Sequence, residues 1–464
     1  MTQMNADKDK RLGFHLRSSA SSADTWAHRS CAQLALALAL LAPTAQAQNL
    51  STLFDAASQY DATYLSAKSQ YEADLAKAAQ GRAGILPTAG LAATAYRSNF
   101  ESNTSSTDRS FSAQTATLSA TQPLYRPANL ATYRQSSRQK IAAQTQLDSA
   151  EQDLIVRLAT AYFDVLAAQD SLSFVQAQQA AVAEQLAAAK RNFEIGSATI
   201  TDTREAQARY DLSVAQEIGA SNELRVKKIA LAQLVGKPNA QPQGLRLPLT
   251  LSTLTPTEVD AWVMQSESAH PSIHLAQANL EIAKLEIDKA QAEHKPSLDL
   301  TASYNQANNP NGTSTNLTGA RTQTGSVGLS FNLPLFAGFA TQNRVLETLR
   351  LEEKARTDLD NAKRSAELAT RAAFFGVLSG QGQVKALEAA EASSQSALDA
   401  NKLGYEVGVR INIDVLNATS QLYQTKRDLA KARYDVLVGE LKLRKANGGL
   451  KVQDLRGLDR LLVQ

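Results

Sequence analysis

The sequence predicts a mainly α-helical protein with a membrane β-sheet, built from one plan written twice and completed only when several copies of the chain come together. Three observations carry that prediction. FEIGSATITDTREA (Phe193 to Ala206) and YEVGVRINIDVLNA (Tyr405 to Ala418) share one skeleton of aromatic, Glu, β-branched residue, Gly, Asp and Ala. Ala128 to Ile195 contains neither Gly nor Pro, a run that as helix would extend roughly 100 Å at 1.5 Å per residue. Short segments that alternate apolar with small polar residues flank polar loops, once in each half.

The chain opens with a leader. Lys8, Lys10, Arg11, Arg17 and Arg29 make a basic region, AQLALALALLA (Ala32 to Ala42) is an apolar core too short to span a bilayer, and AQA (Ala45 to Ala47) is a cleavage signature. Residues 1–47 are therefore expected to be a secretory signal peptide, cut before Gln48. Cys31, the only cysteine, falls inside it, so the exported chain is expected to carry no disulfide and no cysteine metal ligand.

Residues 48–235 form the first repeat, 236–257 a Pro/Gly-rich linker, 258–446 the second repeat and 447–464 a C-terminal segment. AYFDVLAAQ from Ala161 falls on AFFGVLSGQ from Ala373, LPTAGLAATAY from Leu86 on KPSLDLTASY from Lys295, and QPLYRPANLATYR from Gln122 on LPLFAGFATQNR from Leu333. Equal order in both halves indicates tandem duplication, each half reading helix, two strands, very long helix, tip, helix. The shorter helices, about Leu50 to Gly81 and Asp202 to Val235, are near half the length of the long one, so two of them stacked would match it.

Leu154, Leu158, Val165, Val175, Val182, Leu186 and Ala189 mark a narrow apolar seam along the long run, with coiled-coil character. Val327, Leu329, Phe331 and Leu333 alternate with Ser326, Gly328, Ser330 and Asn332, and Leu298, Leu300, Ala302 and Tyr304 alternate likewise, at about ten residues a strand. One apolar and one small polar face is what a transmembrane barrel requires, with lipid outside and water inside. Closure around a lumen takes at least about eight strands, so four from one chain must be joined by others. The narrow helical seam needs lateral partners too.

Composition excludes other classes. A hydrophobic fraction of 43% with 20% charge argues against disorder, and 6% aromatics against one compact aromatic core. The leader holds five of the 48 basic and three of the 45 acidic residues, so the remainder is nearly neutral and offers no nucleic-acid footprint. No Ser/His/Asp or paired-carboxylate set has supporting context, so no catalytic residue, metal or cofactor is expected.

The segments FEIGSATITD, YEVGVRINIDVLNATSQLY, ATAYFDVLAAQ, SFNLPLFAGF and DLAKARYDVLVGELKLRKANG together resemble the TolC family of outer-membrane efflux and secretion channels, across essentially the whole exported chain. The resemblance implies a non-catalytic homotrimer in the outer membrane with a long periplasmic extension. Each protomer would give four strands to a 12-stranded barrel and its helices to an α-barrel. It also implies a periplasmic adaptor protein and an inner-membrane transporter, ABC or proton-driven, as partners. A periplasmic or surface coiled-coil scaffold or adhesin is the alternative.

Gly196 and Gly408 read as helix-ending turns, and Asp202 and Asp414 as openings of the returning helices, where a carboxylate meets unpaired N–H groups. Capping does not explain Arg410, which stands opposite Ala198. The resemblance implies that these tips form the periplasmic entrance and adaptor contact, held shut by bonds of Tyr405 and Arg410 to Thr201 and Asp202, within and between protomers. It also implies a cation-filtering constriction at Asp414, with Asn417 where enterobacterial members carry a second acidic ring.

Weaker signals read as structural. His270 and His274 are spaced for a metal but sit at a helix start with Pro271, Trp262 is expected to pack a helix on the linker, and Gly380 to Gln383 reads as small residues for close helix packing.

Overall fold

The computed structural model describes residues 48–101, 109–246, 248, 253–313, 316 and 318–463. The expected signal peptide, residues 1–47, and the first polar loop, residues 102–108, lie outside the described residues. The element order is α1 (Leu50–Tyr60), α2 (Ala62–Gln80), β1 (Thr88–Phe100), β2 (Arg109–Tyr125), α3 (Pro127–Glu194) and α4 (Ile200–Val235). It then runs through α5 (Val259–Ala269), α6 (Pro271–Ala292), β3 (Ser297–Asn309), β4 (Ala320–Asn332), α7 (Ala340–Glu406), α8 (Asn412–Ala446) and α9 (Val452–Asp459). The order helix pair, two strands, long helix, helix occurs twice.

Each half opens with a broken helix rather than the single one expected over Leu50 to Gly81. Asp61 interrupts the first. Its Oδ1 accepts from the Thr63 and Tyr64 amides at 2.8 and 3.0 Å, starting α2, while Arg157 on α3 donates to the same carboxylate at 2.8 Å. Burial opposes that charge, but the Arg157 guanidinium and the two amides outweigh it and hold the carboxyl below its ordinary range. His270 interrupts the second: its Nδ1 accepts from the Ser272 amide at 3.1 Å, and Pro271 occupies the first turn. A buried acid and a half-buried imidazole thus do one job in the two halves.

The four strands form one antiparallel sheet in the order β1-β2-β3-β4. They are 13, 17, 13 and 13 residues long, beyond the ten or so expected. Their register gathers the alternating apolar residues into rows, Leu91 beside Leu118 beside Tyr304, and Ala120 beside Ala302 beside Val327. Val327 and Leu91 remain 78% and 75% exposed, so this apolar face is uncovered by the rest of the chain. Among the described residues β1 pairs only with β2 and β4 only with β3, which leaves the outer edges of both unpaired there.

At 68 and 67 residues, α3 and α7 are the long helices. Among the described residues, no helix is long and apolar enough to cross a membrane. The seam residues Leu154, Leu158, Val165, Val175, Val182, Leu186 and Ala189 are buried, whereas Phe193 near the tip is exposed. α3 packs on α4 to one side and on α6 and α8 to the other, and α7 packs on α6 and α8. In order of contact the helices run α4, α3, α8, α7, with α6 between α3 and α7 and α2 against α3, so α4 and α7 stand at the two ends. Gly380 permits close approach of α7 to α8, since a Cβ there would lie 2.9 Å from Val436, but Gly382 meets nothing within 4 Å.

One polar centre joins sheet to helices and a second ties together the helices beside it. Arg126, between β2 and α3, donates to both oxygens of buried Asp299 on β3 at 2.8 and 2.6 Å. Just beyond, Glu286 on α6 accepts from Gln135 on α3 and Arg344 on α7, each at 2.8 Å. Burial works against the Glu286 charge, yet the Gln135, Arg344 and Lys289 donors outweigh it and hold its carboxyl below the ordinary range.

The largest core lies at mid-height, where Leu53 and Phe54 of α1, Leu158 and Phe163 of α3, Leu231 of α4, Leu437 of α8 and Leu455 of α9 meet. Linker and C-terminal segment bind there through backbone bonds, Arg246 to Leu461 at 2.9 Å and Val463 to Gly244 at 2.8 Å. Asp459 accepts from the Leu50 and Ser51 amides at 2.7 and 3.2 Å and from the Ser51 hydroxyl, capping α1 from the far end of the chain. Trp262 is buried and donates to the Pro256 carbonyl at 2.8 Å, packing α5 on the linker.

Burial, Lys445 and His274 together push the His270 imidazole below its ordinary value. A base held neutral in the fold contributes fully above its unfolded pKa and loses that contribution as pH falls below about 6.5. His270→Asn keeps a capping oxygen that does not titrate. It should therefore lose less stability than wild type between pH 7.5 and 5.5, measured by unfolding at both pH values.

Candidate functional site

Both helical hairpins end in the same turn, bond for bond. In the first, Gly196 takes φ +76° and donates to the Phe193 carbonyl at 3.0 Å, while Ser197 donates back to Asn192 at 2.8 Å. In the second, Gly408 takes φ +77° and donates to Tyr405 at 3.1 Å, while Val409 donates to Gly404 at 2.8 Å. A left-handed residue is what lets the sixth amide reach the first carbonyl, and glycine adopts that conformation without a Cβ penalty.

The returning helices start differently. Thr199 and Asp202 form a reciprocal capping box: the Asp202 amide donates to Thr199 Oγ1 at 3.2 Å, and Asp202 Oδ2 accepts from the Thr199 amide at 3.0 Å and from its hydroxyl at 2.8 Å. In the second hairpin the cap position is Ile411, which has no side-chain bond to give. Asp414 keeps its place in the first turn, near the positive end of the helix, but faces Arg410, whose Nη1 lies 3.6 Å from its Oδ2. The two aspartates, equivalent in sequence, therefore have different partners.

Within one protomer the structure brings the expected gate residues to one end of the molecule without bonding Tyr405 or Arg410 to Thr201 or Asp202. Arg410 turns to Asp414. The Tyr405 hydroxyl accepts from Asn192 Nδ2 at 3.1 Å, linking α7 to α3. Asn417 accepts from Arg209 Nη2 at 2.9 Å, linking α8 to α4. Its amide is thus engaged as an acceptor for a cation, beyond being a missing acid. Apolar contact accompanies these links: Leu416 of α8 sits fully buried among Val182, Leu186, Ala189 and Ala206 of the first hairpin.

Asn192, Arg209 and Gly404 escape a reading that matches the two copies only for likeness. The signal that finds them is difference. Asn192 falls on Gly404, Arg209 on Gln421, Glu205 on Asn417 and Ala198 on Arg410, and each difference marks a side chain that crosses between hairpins or within the second tip. Among the described residues, no cluster of three or more His, Cys, Asp or Glu could hold a metal. His270 is taken up by its capping bond.

Arg209→Ala and Asn417→Ala should each loosen α4 from α8. Because they remove one shared bond, the double variant should cost about 0.5–1.5 kcal/mol less than the two single losses together, in a double-mutant cycle of thermal unfolding.

The profile of the family described as outer membrane efflux protein matches residues 34–237 and 262–449. The chain is 32% identical to the outer membrane protein TolC of Vibrio cholerae over 419 residues, covering 90% of this chain and 95% of that protein. It is 31% identical to the alkaline protease secretion protein AprF of Pseudomonas aeruginosa over 433 residues, covering 90% and 88%. Among solved structures, the outer membrane protein VceC of Vibrio cholerae superposes with a TM-score of 0.74 at 20% identity, over 86% of this chain and 96% of that one. The open state of the MtrE outer membrane channel of Neisseria gonorrhoeae gives 0.70 at 22%, over 87% and 90%. With a family profile over most of its length, full-length relatives above 30% identity and the same fold in solved channels, this chain belongs to the outer membrane efflux protein family.

Proposed function

We propose that the protein is the outer-membrane exit duct of a tripartite efflux pump or type I secretion system, a passive water-filled tube gated at its periplasmic helix tips. The observation that carries this reading is that the chain has open edges in both of its layers. β1 and β4 lack outer partners, and unpaired backbone groups in hydrocarbon are too costly to leave, so the sheet must close with other copies. The helical layer agrees: Leu212, Ile218, Val226 and Ile229 are exposed along the α4 edge, and Leu346, Leu368, Phe375 and Leu378 along α7. Joining α4 of one copy to α7 of the next generates a ring, and three copies bring twelve strands. The repeated element order and the two-part match to the family profile support tandem duplication.

A periplasmic adaptor is the partner for the tips at Gly196 and Gly408, and an inner-membrane transporter supplies the energy. The names of the secretion and efflux relatives support both kinds of cargo. In the trimer, Tyr405 and Arg410 hold the entrance shut through Thr201 and Asp202, partly across protomer boundaries. Asp414 contributes one ring of three carboxylates and Asn417 none, so cation selectivity is weaker than in a channel with two acidic rings.

Full-length protein expressed in a Gram-negative host should fractionate with the outer membrane as a trimer and form ion channels in planar bilayers. A purified oligomer that conducts nothing would point to the coiled-coil scaffold instead. Arg410→Ala combined with Tyr405→Phe should raise single-channel conductance and antibiotic sensitivity. Asp414→Asn should weaken block by a trivalent cation at least about tenfold, since three carboxylates leave the constriction together.

A further inference from the structure

We propose that Asp414 and the space left by the absent side chain of Gly404 form a parking place for Arg410, in which the arginine is withheld from the Thr201 and Asp202 end of the other hairpin. The proposal rests on the gate reading above and adds a competitor to it. The stem of Arg410 lies directly over Gly404: a Cβ placed on Gly404 would stand 2.7 Å from Arg410 Cγ and 3.3 Å from its Cβ. These are the first atoms of the side chain, so any larger residue at 404 forces the whole arm away. From that slot Arg410 Nη1 reaches Asp414 Oδ2 at 3.6 Å, with the Arg410 side chain still 58% exposed. The arm is placed but loosely held.

The first hairpin lacks both parts. Where the second has Gly404 beneath Arg410, the first has Asn192 and Ala198, and Asn192 spends its amide on Tyr405. Slot and arm therefore occur together, on one hairpin only. Asp202, the acceptor that the gate reading assigns to Arg410, has Oδ2 engaged by Thr199, while its Oδ1 takes no hydrogen bond among those of the described residues. One guanidinium in this geometry has two alternative carboxylates, and occupation of one vacates the other. Removing the parking carboxylate or filling the slot shifts Arg410 toward the gate link and favours the closed tip.

The test is single-channel recording of purified full-length oligomer in planar bilayers, at a voltage where wild type opens measurably, without multivalent cations. Arg410→Ala should raise the open fraction. Asp414→Asn and Gly404→Ala should each lower it about two- to fivefold, the range commanded by an exposed ion pair. In the Arg410→Ala background neither should change it. If Arg410→Ala opens the channel while Asp414→Asn leaves the open fraction unchanged or raises it, the parking place is overturned and the gate stands. Equal effects of Asp414→Asn with and without Arg410 would assign the change to pore charge and overturn it too. If Arg410→Ala has no effect, the gate reading fails and carries this proposal with it.

Discussion

The rest of the structure depends on a sheet that ends before it closes. A strand edge in hydrocarbon exposes amides and carbonyls with no water to receive them, so an antiparallel sheet in a membrane is stable only as a cylinder. Four strands with an apolar row on one face cannot make that cylinder alone. The same requirement passes down into the helices, whose layer ends at α4 and α7 with apolar side chains still in solvent. On the proposed reading, oligomerisation is therefore part of the fold.

Sheet and helices make different demands on the chain, and the junction between them is polar. Arg126 with Asp299 and Glu286 with Gln135 and Arg344 tie the start of α3 to the start of β3 and to the helices beneath it. Each contact joins the first half to the second or a long helix to a short one, so the two halves are held in register where β-structure gives way to α-structure. The mid-height core performs the equivalent task lower down, with Asp459 and the linker closing around α1.

The two tips are alike in their turns and differ in the chemistry of their caps. Gly196 and Gly408 keep the same positive φ because the turn allows little else. The capping position is free to vary: Thr199 makes a box with Asp202, whereas Ile411 leaves Asp414 available to Arg410. Differences at a few sites set the links between the hairpins, with Asn192 and Arg209 of the first donating to Tyr405 and Asn417 of the second.

Periodicity along the chain was enough to determine the long helices, the alternating strands, the linker and the two glycine turns, because each is a local property of backbone and neighbouring side chains. It also led to the expectation that one chain is not the whole object, since four strands do not close. The break at His270 was legible through Pro271, but the one at Asp61 was not: an acid inside a helical pattern becomes a stop only when a partner such as Arg157 fixes it there. Tertiary structure alone decided that Asn192 meets Tyr405, that Arg209 meets Asn417 and that the Arg410 stem lies over Gly404. The first two contacts join helices more than two hundred residues apart, which neither spacing nor residue type specifies. Arg410 and Asp414, by contrast, are an i,i+4 charge pair, and only the seat of the Arg410 stem over Gly404 needed the turn's own geometry.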